Sequence, residues 1–129
     1  MTPSVKRSHN VSELVYHLVC PVKYRRKIFT DTNEETLKEI CLELEKRYEL
    51  KFLEIGIDKD HVHFLIQTIP NISPSDIANT VKGNIAIQFF KKHEEVKRFL
   101  WGGNLWSAGY YINTVGNVSM NINLVFSSK

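Results

Sequence analysis

The sequence contains no run of apolar residues that approaches the roughly 20 needed for a helix to span a membrane. It also contains no internal repeat, low-complexity tract or linker, so repeat architectures are excluded and residues 1–129 are predicted to form a single domain. Cysteine is scarce, and no secretory signal precedes Cys20 or Cys41. Both cysteines are therefore predicted to be reduced core residues of a soluble, cytoplasmic protein.

A strong charge of one sign is absent as well. The chain has 17 Lys and Arg against 14 Asp and Glu, which gives a formal net charge of +3. This mild basic bias is compatible with binding to nucleic acid, but it is also common among proteins that never contact nucleic acid. A hydrophobic content of 43% in 129 residues is enough for one core.

The hydrophobic pattern predicts first a strand and then a helix. Residues 15–20 are rich in β-forming side chains and end at Pro21, which indicates a strand. Thr32 precedes Glu35 by the spacing of a capping box, so a helix is predicted to begin there. The apolar residues that follow recur at the helical period and form one stripe: Leu37, Ile40, Cys41, Leu44 and Tyr48.

The period changes to two in the middle of the chain. Residues 52–57 and 61–69 are predicted strands, and residues 58–60 are short enough for a hairpin turn between them. Alternate residues of a strand face opposite sides of its sheet. One face of the second strand is therefore predicted to pack on helices, and its residues are Val62, Phe64, Ile66 and Thr68. The other face carries His61, His63, Leu65 and Gln67.

A second helix, a last strand and a terminal segment complete the chain. Ser73 followed by Pro74 predicts a helix start, because serine caps helices and proline suits the first helical position. One side of this helix is apolar and consists of Ile77, Val81, Ile85 and Phe89. Residues 109–115 predict a strand, and the short segment after Gly116 is predicted to be helical, with Ser119 as a possible cap.

The predicted order is βαββαβ followed by a short C-terminal segment. This order is typical of the ferredoxin-like or RRM-like α+β fold, in which an antiparallel sheet carries helices on one face. Many unrelated functions use that fold, so it does not by itself decide what the protein does.

The histidine pair is the most specific chemical feature of the sequence. His61 and His63 point to the same side of their strand and lie roughly 7 Å apart at the usual rise per residue. Neutral imidazoles at that separation can hold one divalent ion, with a third ligand supplied from elsewhere. The alternative is that both are ordinary polar residues on a half-exposed strand face.

The string Asp-His-Val-His-Phe-Leu-Ile at residues 60–66 resembles the histidine-hydrophobic-histidine (HUH) motif of the single-tyrosine transposases of the insertion-sequence 200/605 family. Further stretches match that family in the same order along nearly the whole chain. They are residues 16–19 with the basic residues 23–27, residues 81–83, Trp106 with residues 109–111, and residues 114–116.

The resemblance implies a homodimer that binds imperfect single-stranded DNA hairpins at the ends of its element. It implies that a tyrosine on a C-terminal helix attacks the scissile phosphate, which forms a 5′-phosphotyrosine and frees a 3′-hydroxyl. His61 and His63 would hold Mg²⁺ or Mn²⁺, with a glutamine one turn beyond the tyrosine as a further ligand. Chemically this is covalent catalysis by an oxygen nucleophile with Lewis-acid assistance.

The sequence departs from the family at the nucleophile. Counted from the Thr-Val-Gly triplet at residues 114–116, the position of the family's tyrosine is Phe126, and the glutamine would fall beyond Lys129. We therefore expect a truncated or frame-shifted copy that keeps the fold and the histidine pair but lacks the nucleophile. Tyr110 or Tyr111 would be a substitute if its ring reached the histidine face, although aromatic packing is the ordinary explanation for both.

Residues predicted to bind DNA lie in two places. They are Lys23, Tyr24, Arg25 and Arg26 after the first strand, and Lys82 in the second helix. The first group would grip phosphates and stack a base, and Lys82 would contact the DNA backbone at the active site. The alternatives are a solvated basic turn and a plain surface lysine.

Three other residues are assigned structural roles. His17 matches the family but lies in a mostly apolar strand, so a structural role is predicted for it. Trp101 and Trp106 are predicted to anchor packing rather than to stack on bases.

Three functions remain in competition. The first is a transposase acting on single-stranded DNA, with impaired catalysis. The second is a non-catalytic DNA-hairpin-binding module on the same fold, distinguished by binding without cleavage. The third is an RRM-like RNA binder. This function is disfavoured because no predicted strand carries the aromatic-rich RNP signature.

Overall fold

The computed structural model describes residues 14–115 and the backbone of residues 125–126. The strands are β1 Leu14–Pro21, β2 Leu50–Ile57, β3 His61–Thr68, β4 Tyr111–Val115 and β5 Val125–Phe126. The helices are α1 Asp31–Arg47, α2 Pro74–Lys92 and α3 Glu94–Phe99. The strands form one antiparallel sheet in the order β2-β3-β1-β4-β5. The predicted βαββαβ fold of ferredoxin-like type is confirmed.

The core lies between the sheet and the helices. On β3 the side chains of Val62, Phe64, Ile66 and Thr68 are all fully buried, as the alternation predicts. The apolar side of α2 meets them with Ile77, Val81, Ile85 and Phe89, which are buried as well. Because α1 and α2 cover this face of the sheet, the histidines of β3 lie on the opposite face.

Helix α1 begins at a different cap from the predicted one. Its N-cap is Thr30, whose Oγ1 accepts a hydrogen bond from the Asn33 amide at 3.3 Å. Asn33 returns the bond by accepting from the Thr30 amide at 2.8 Å, and its Nδ2 donates to the Ile28 carbonyl. The predicted capping pair of Thr32 and Glu35 was wrong. The N-cap is Thr30, and the buried side chain of Asn33 accepts the hydrogen bond from the N-cap amide that was expected to go to a glutamate. The predicted Ser73 cap of α2 is confirmed.

Strand β2 contains a bulge that the sequence pattern did not predict. The register with β3 shifts between Phe52 and Glu54, so Leu53 is the extra residue. A carboxylate oxygen of Glu45 on α1 accepts a hydrogen bond from the Phe52 amide at 2.7 Å beside the bulge. The shift places Gly56 directly opposite His63.

The C-terminal part differs from the prediction in two ways. Helix α3, which follows α2, was not predicted. Residues 125–126 are a strand paired with β4 rather than part of a helix. The helical segment predicted after Gly116, with Ser119 as its cap, otherwise lies outside the described residues.

The two cysteines are free and buried, as predicted, with Cys20 on β1 and Cys41 on α1. Burial raises the pKa of the Cys20 thiol to about 12 and also raises that of Cys41. Of the helices in the described part of the chain, none combines the length and the apolar character that a membrane span requires.

Replacing Asn33 with alanine is expected to lower the free energy of unfolding by about 2 kcal/mol, because the Thr30 amide and the Ile28 carbonyl would lose their partners. Urea denaturation followed by circular dichroism measures this change. The matched control is Thr32→Ala, at the exposed position first predicted as the cap, which is expected to stay within about 0.5 kcal/mol of the parent. Equal losses in the two variants would contradict the assignment of the cap.

Candidate metal and nucleic-acid site

The histidine pair lies on the sheet face opposite the helices. Strand β3 is flanked by β2 and β1, so His61 and His63 have a neighbouring strand on each side. Their ring centroids are 6.3 Å apart, and the ring planes differ by 31°. The predicted placement of both imidazoles on one face is confirmed.

His61 lies between two carboxylates from the turn that precedes it. Its Nδ1 is 3.0 Å from Oδ1 of Asp60, and its Nε2 is 3.1 Å from Oδ2 of Asp58. The hydrogen bond with His61 lowers the pKa of the Asp60 carboxyl, and Arg25 lowers that pKa further. A proton on Nδ1 of His61 would satisfy Asp60 and leave the Nε2 lone pair available to an ion.

The basic segment after β1 reaches the histidines through Asp60. Nη2 of Arg25 is 3.2 Å from Oδ2 of Asp60, so one carboxylate holds both the guanidinium and the imidazole of His61. Backbone bonds fix the same turn, because the Val22 amide donates to the Asp60 carbonyl and the Ile28 amide donates to the Lys59 carbonyl, both at 2.9 Å. The turn before His61 is therefore held in place by residues 22–28.

His63 is enclosed by a glycine on one side and a histidine on the other. A Cβ atom at Gly56 would overlap the His63 ring, so only glycine leaves room for the imidazole there. The ring of His17 on β1 meets that of His63 edge-on, with centroids 5.6 Å apart. Burial lowers the pKa of His17, and the neighbouring His63 lowers it further. The lowered pKa favours the neutral form of His17, which packs against His63 without adding positive charge there.

The donors do not form a complete cage within residues 14–115. In that part of the chain no three His, Cys, Asp or Glu side chains lie close enough together to hold an ion. His61 and His63 fit as two imidazole donors, and Asp58 is the carboxylate nearest to the Nε2 atom of His61. Such a pair leaves coordination positions open to water or to a phosphate oxygen.

Lys82 lies on the helix side of the sheet, away from the histidine pair. Its Nζ donates to the Ser107 carbonyl at 3.3 Å and lies 4.6 Å from the centre of the Tyr110 ring. Burial lowers the pKa of its ammonium group. The five residues predicted to bind DNA are therefore divided, because Lys82 does not share the face that holds His61 and His63.

Tyr24 and Arg26 belong to a cluster of aromatic rings at the end of α3. The Tyr24 and Trp101 ring centroids are 5.6 Å apart, and the Arg26 guanidinium lies 4.0 Å from the Phe99 ring centre and 4.9 Å from that of Trp101. Trp101 is 70% exposed, so its prediction as a packing anchor was wrong. The same prediction for Trp106 is confirmed, since Trp106 is 5% exposed and its Nε1 donates to the Lys82 carbonyl.

One tyrosine of the described residues lies in register with the histidines. Val19 pairs with His63 on one side and with Tyr111 on the other, so Tyr111 shares the histidine face at about 10 Å, or two strand spacings. Tyr110 contacts Lys82 instead. Phe126, at the position expected for the nucleophile, pairs with Tyr111 in the register of β4 and β5.

Sequence reasoning missed the residues that support the histidine pair. Asp58 was treated only as part of a hairpin turn, and Asp60 only as part of that turn and of the string that resembles the family motif. Two carboxylates within three residues of a histidine are nevertheless a recognisable signal. Gly56 gave no such signal, because its partner depends on the bulge in β2. The His17 contact with His63 needed the pairing of β1 with β3.

Comparison with known proteins gives a consistent result. The family model described as "Transposase IS200 like" matches residues 10–124. The ISDra2 transposase TnpA of Deinococcus radiodurans is 34% identical over 105 residues, which are 81% of this chain and 75% of that protein. The transposase of insertion sequence IS200 from Salmonella typhimurium is 28% identical over 107 residues, or 83% and 70% of the two chains.

A solved structure agrees with these relatives. A crystal structure from Deinococcus radiodurans R1, assigned as a transposase, superposes with a TM-score of 0.77 at 30% identity. The match covers 87% of this chain and 86% of that one. The matched residues 10–124 include β1 to β4, the histidine pair and the turn that precedes it. This chain therefore belongs to the IS200-like family of transposases.

Proposed function

We propose that this protein binds single-stranded DNA hairpins and holds one divalent ion, Mg²⁺ or Mn²⁺, with His61 and His63. The observation that carries the proposal is the position of His61, whose two ring nitrogens each face a carboxylate from the preceding turn. Histidines that bind metals usually donate their second nitrogen to such a group, which fixes the ring and its tautomer. Asp60 would have that role here, and His61 would hold the ion through Nε2.

The ion, when bound, polarises a phosphodiester. The chain's own part is to orient the donors, since Asp60 fixes the ring of His61 while Gly56 and His17 confine the ring of His63. Asp58 stands 3.1 Å from the Nε2 atom of His61 and adds negative charge where a cation would sit.

DNA binding is assigned first to the segment that carries Lys23, Tyr24, Arg25 and Arg26. Arg25 is 60% exposed although it holds Asp60, so its guanidinium remains open to a phosphate beside the histidines. Three cations and a ring in four residues are typical of segments that grip a nucleic-acid backbone. The relatives compared above are named as transposases of insertion sequences.

We further propose that this copy is impaired in strand cleavage. Phenylalanine at position 126 has no oxygen with which to attack a phosphate, whereas the family's covalent step requires a tyrosine hydroxyl. The alternative is a non-catalytic hairpin-binding module derived from a transposase. The two differ in one respect: an impaired enzyme retains a trace of cleavage that depends on the ion, and a binding module has none.

A homodimer is proposed as the assembly, with the sheets of the two copies joined edge to edge. Strand β2 ends the described sheet on one side, and the backbone groups of an end strand are available for pairing. The proposal predicts a dimer mass in sedimentation, and a monomer at micromolar concentration would contradict it.

Removing either histidine is expected to weaken Mn²⁺ binding by at least about ten-fold, because a two-donor site loses half of its imidazoles. Isothermal titration of His61→Ala, His63→Ala and Asp60→Asn measures the change. The control is His93→Ala, since His93 bonds to Thr36 and Glu95 and lies outside the site. Unchanged affinity in both histidine variants would overturn the metal site.

Gly56→Ala is expected to weaken Mn²⁺ binding while leaving every donor atom in place, because the new Cβ must displace the His63 ring. The matched control is Gly83→Ala, where nothing lies within contact distance and a helix gains about 1 kcal/mol from alanine. Parallel titrations and thermal melts separate the two effects. Equal Mn²⁺ affinity in both variants would show that the His63 position does not matter.

Incubation with hairpin single-stranded DNA and Mn²⁺ is expected to give binding but at most a trace of covalent protein–DNA adduct on a denaturing gel. The reason is the missing hydroxyl at Phe126. An adduct formed by most of the protein would contradict the proposed impairment, and Tyr111→Phe is the variant to compare, because Tyr111 shares the face of the histidines. Loss of the adduct in that variant would make Tyr111 the nucleophile.

A further inference from the structure

The aromatic rings of Tyr24 and Trp101 form a surface that neither the fold nor the histidine pair explains. These side chains are 63% and 70% exposed, more than any other large hydrophobic side chain of residues 14–115. Their ring centroids are 5.6 Å apart with planes tilted by 59°. Two large rings kept together in water bury little area, so packing does not account for them.

The backbone conformation at Tyr24 and at Trp101 is also unfavourable for a large side chain. Trp101 has φ 58° and Tyr24 has φ 59°, in the left-handed region that a residue with a Cβ rarely adopts. Trp101 follows the last turn of α3, where glycine is the usual residue, and the next residue is Gly102. A bulky ring at each of these two positions is therefore costly to the fold.

Cations surround the two rings. The Lys23 ammonium lies 5.3 Å from the centre of the Tyr24 ring, and the Arg26 guanidinium lies 4.9 Å from that of Trp101. Beside the rings runs a groove of about 490 Å³ whose lining includes Lys23, Lys82, Lys97 and the Gly102–Gly103 pair. Among the residues that line this groove there is no Asp or Glu. The charge of this surface therefore matches an anionic partner rather than a cationic or a neutral apolar one.

We propose that Tyr24 and Trp101 form a stacking platform for an unpaired DNA base, and that the lysine-lined groove carries the adjoining phosphates. Stacking on aromatic rings beside a positive groove is how proteins hold single strands without reading their sequence. The platform is connected to the histidine pair by side-chain contacts. Arg25 follows Tyr24 in the sequence and forms an ion pair with Asp60, and Asp60 in turn contacts His61. This inference rests on the proposed binding of single-stranded DNA and names where an unpaired base is held.

Tryptophan fluorescence isolates the platform, because the chain has two tryptophans and Trp106 is buried. Titration with an oligothymidylate of about 16 nucleotides is expected to quench the emission of Trp101. Trp101→Phe should remove the quenching and keep the affinity within about three-fold, because phenylalanine still stacks. An abasic oligonucleotide of the same length should bind without quenching.

Trp101→Gly is the decisive variant, because glycine suits the left-handed backbone and the fold should be no less stable in thermal melts. Its affinity for oligothymidylate is expected to fall about five- to hundred-fold relative to the parent protein. On the abasic oligonucleotide the variant and the parent are expected to bind equally well. Tyr24→Ala should behave in the same way. The matched control is Leu42→Ala on α1, which removes a side chain that is 59% exposed and should change nothing.

The outcomes separate the platform from the function on which it rests. If the parent binds oligothymidylate and Trp101→Gly binds it equally well, the platform is wrong while DNA binding stands. If the parent binds neither oligothymidylate nor a DNA hairpin, the proposed function fails and the platform with it. If Trp101→Gly instead converts a dimer to a monomer in sedimentation, the two rings are a contact between subunits and the proposal is overturned.

Discussion

The strict alternation along β3 is the constraint on which the candidate site depends. Val62, Phe64 and Ile66 are fully buried against the helices, so the residues between them must lie on the other face of the sheet. A register slip of one residue would bury both imidazoles and expose the centre of the core. The free energy gained by burying the three apolar side chains therefore also fixes the register that places His61 and His63 on the opposite face.

The turn at residues 58–60 links the two chemical parts of the molecule. Its backbone is tied to residues 22–28, and its Asp60 side chain bonds to Arg25 and His61 at once. A phosphate that approaches Arg25 would meet a guanidinium already placed beside the histidine pair. The basic segment and the histidine pair are thus parts of one local structure rather than two separate surfaces.

Sequence reasoning predicted the parts of the molecule that repeat a period over several residues. The β3 alternation and the apolar side of α2 have such a period, and both were predicted correctly. The single-residue features were not predictable, because they involve partners distant in the sequence or on the backbone. Beside the bulge at Leu53 the Phe52 amide bonds to the Glu45 carboxylate of another element, and the side chain of Asn33 bonds to the Ile28 carbonyl. The exposure of Trp101 likewise follows from how α3 ends, and α3 itself was not predicted.

The reactivity of the two buried thiols reports on local opening of this fold. Burial raises the pKa of Cys20 to about 12 and that of Cys41 as well, so almost no thiolate exists at neutral pH while the chain is folded. Cys20 lies on the central strand and Cys41 on the first helix, so alkylation rates at the two positions report separate openings of sheet and helix. A bound ion or DNA strand that tightens the sheet would slow labelling at Cys20 more than at Cys41.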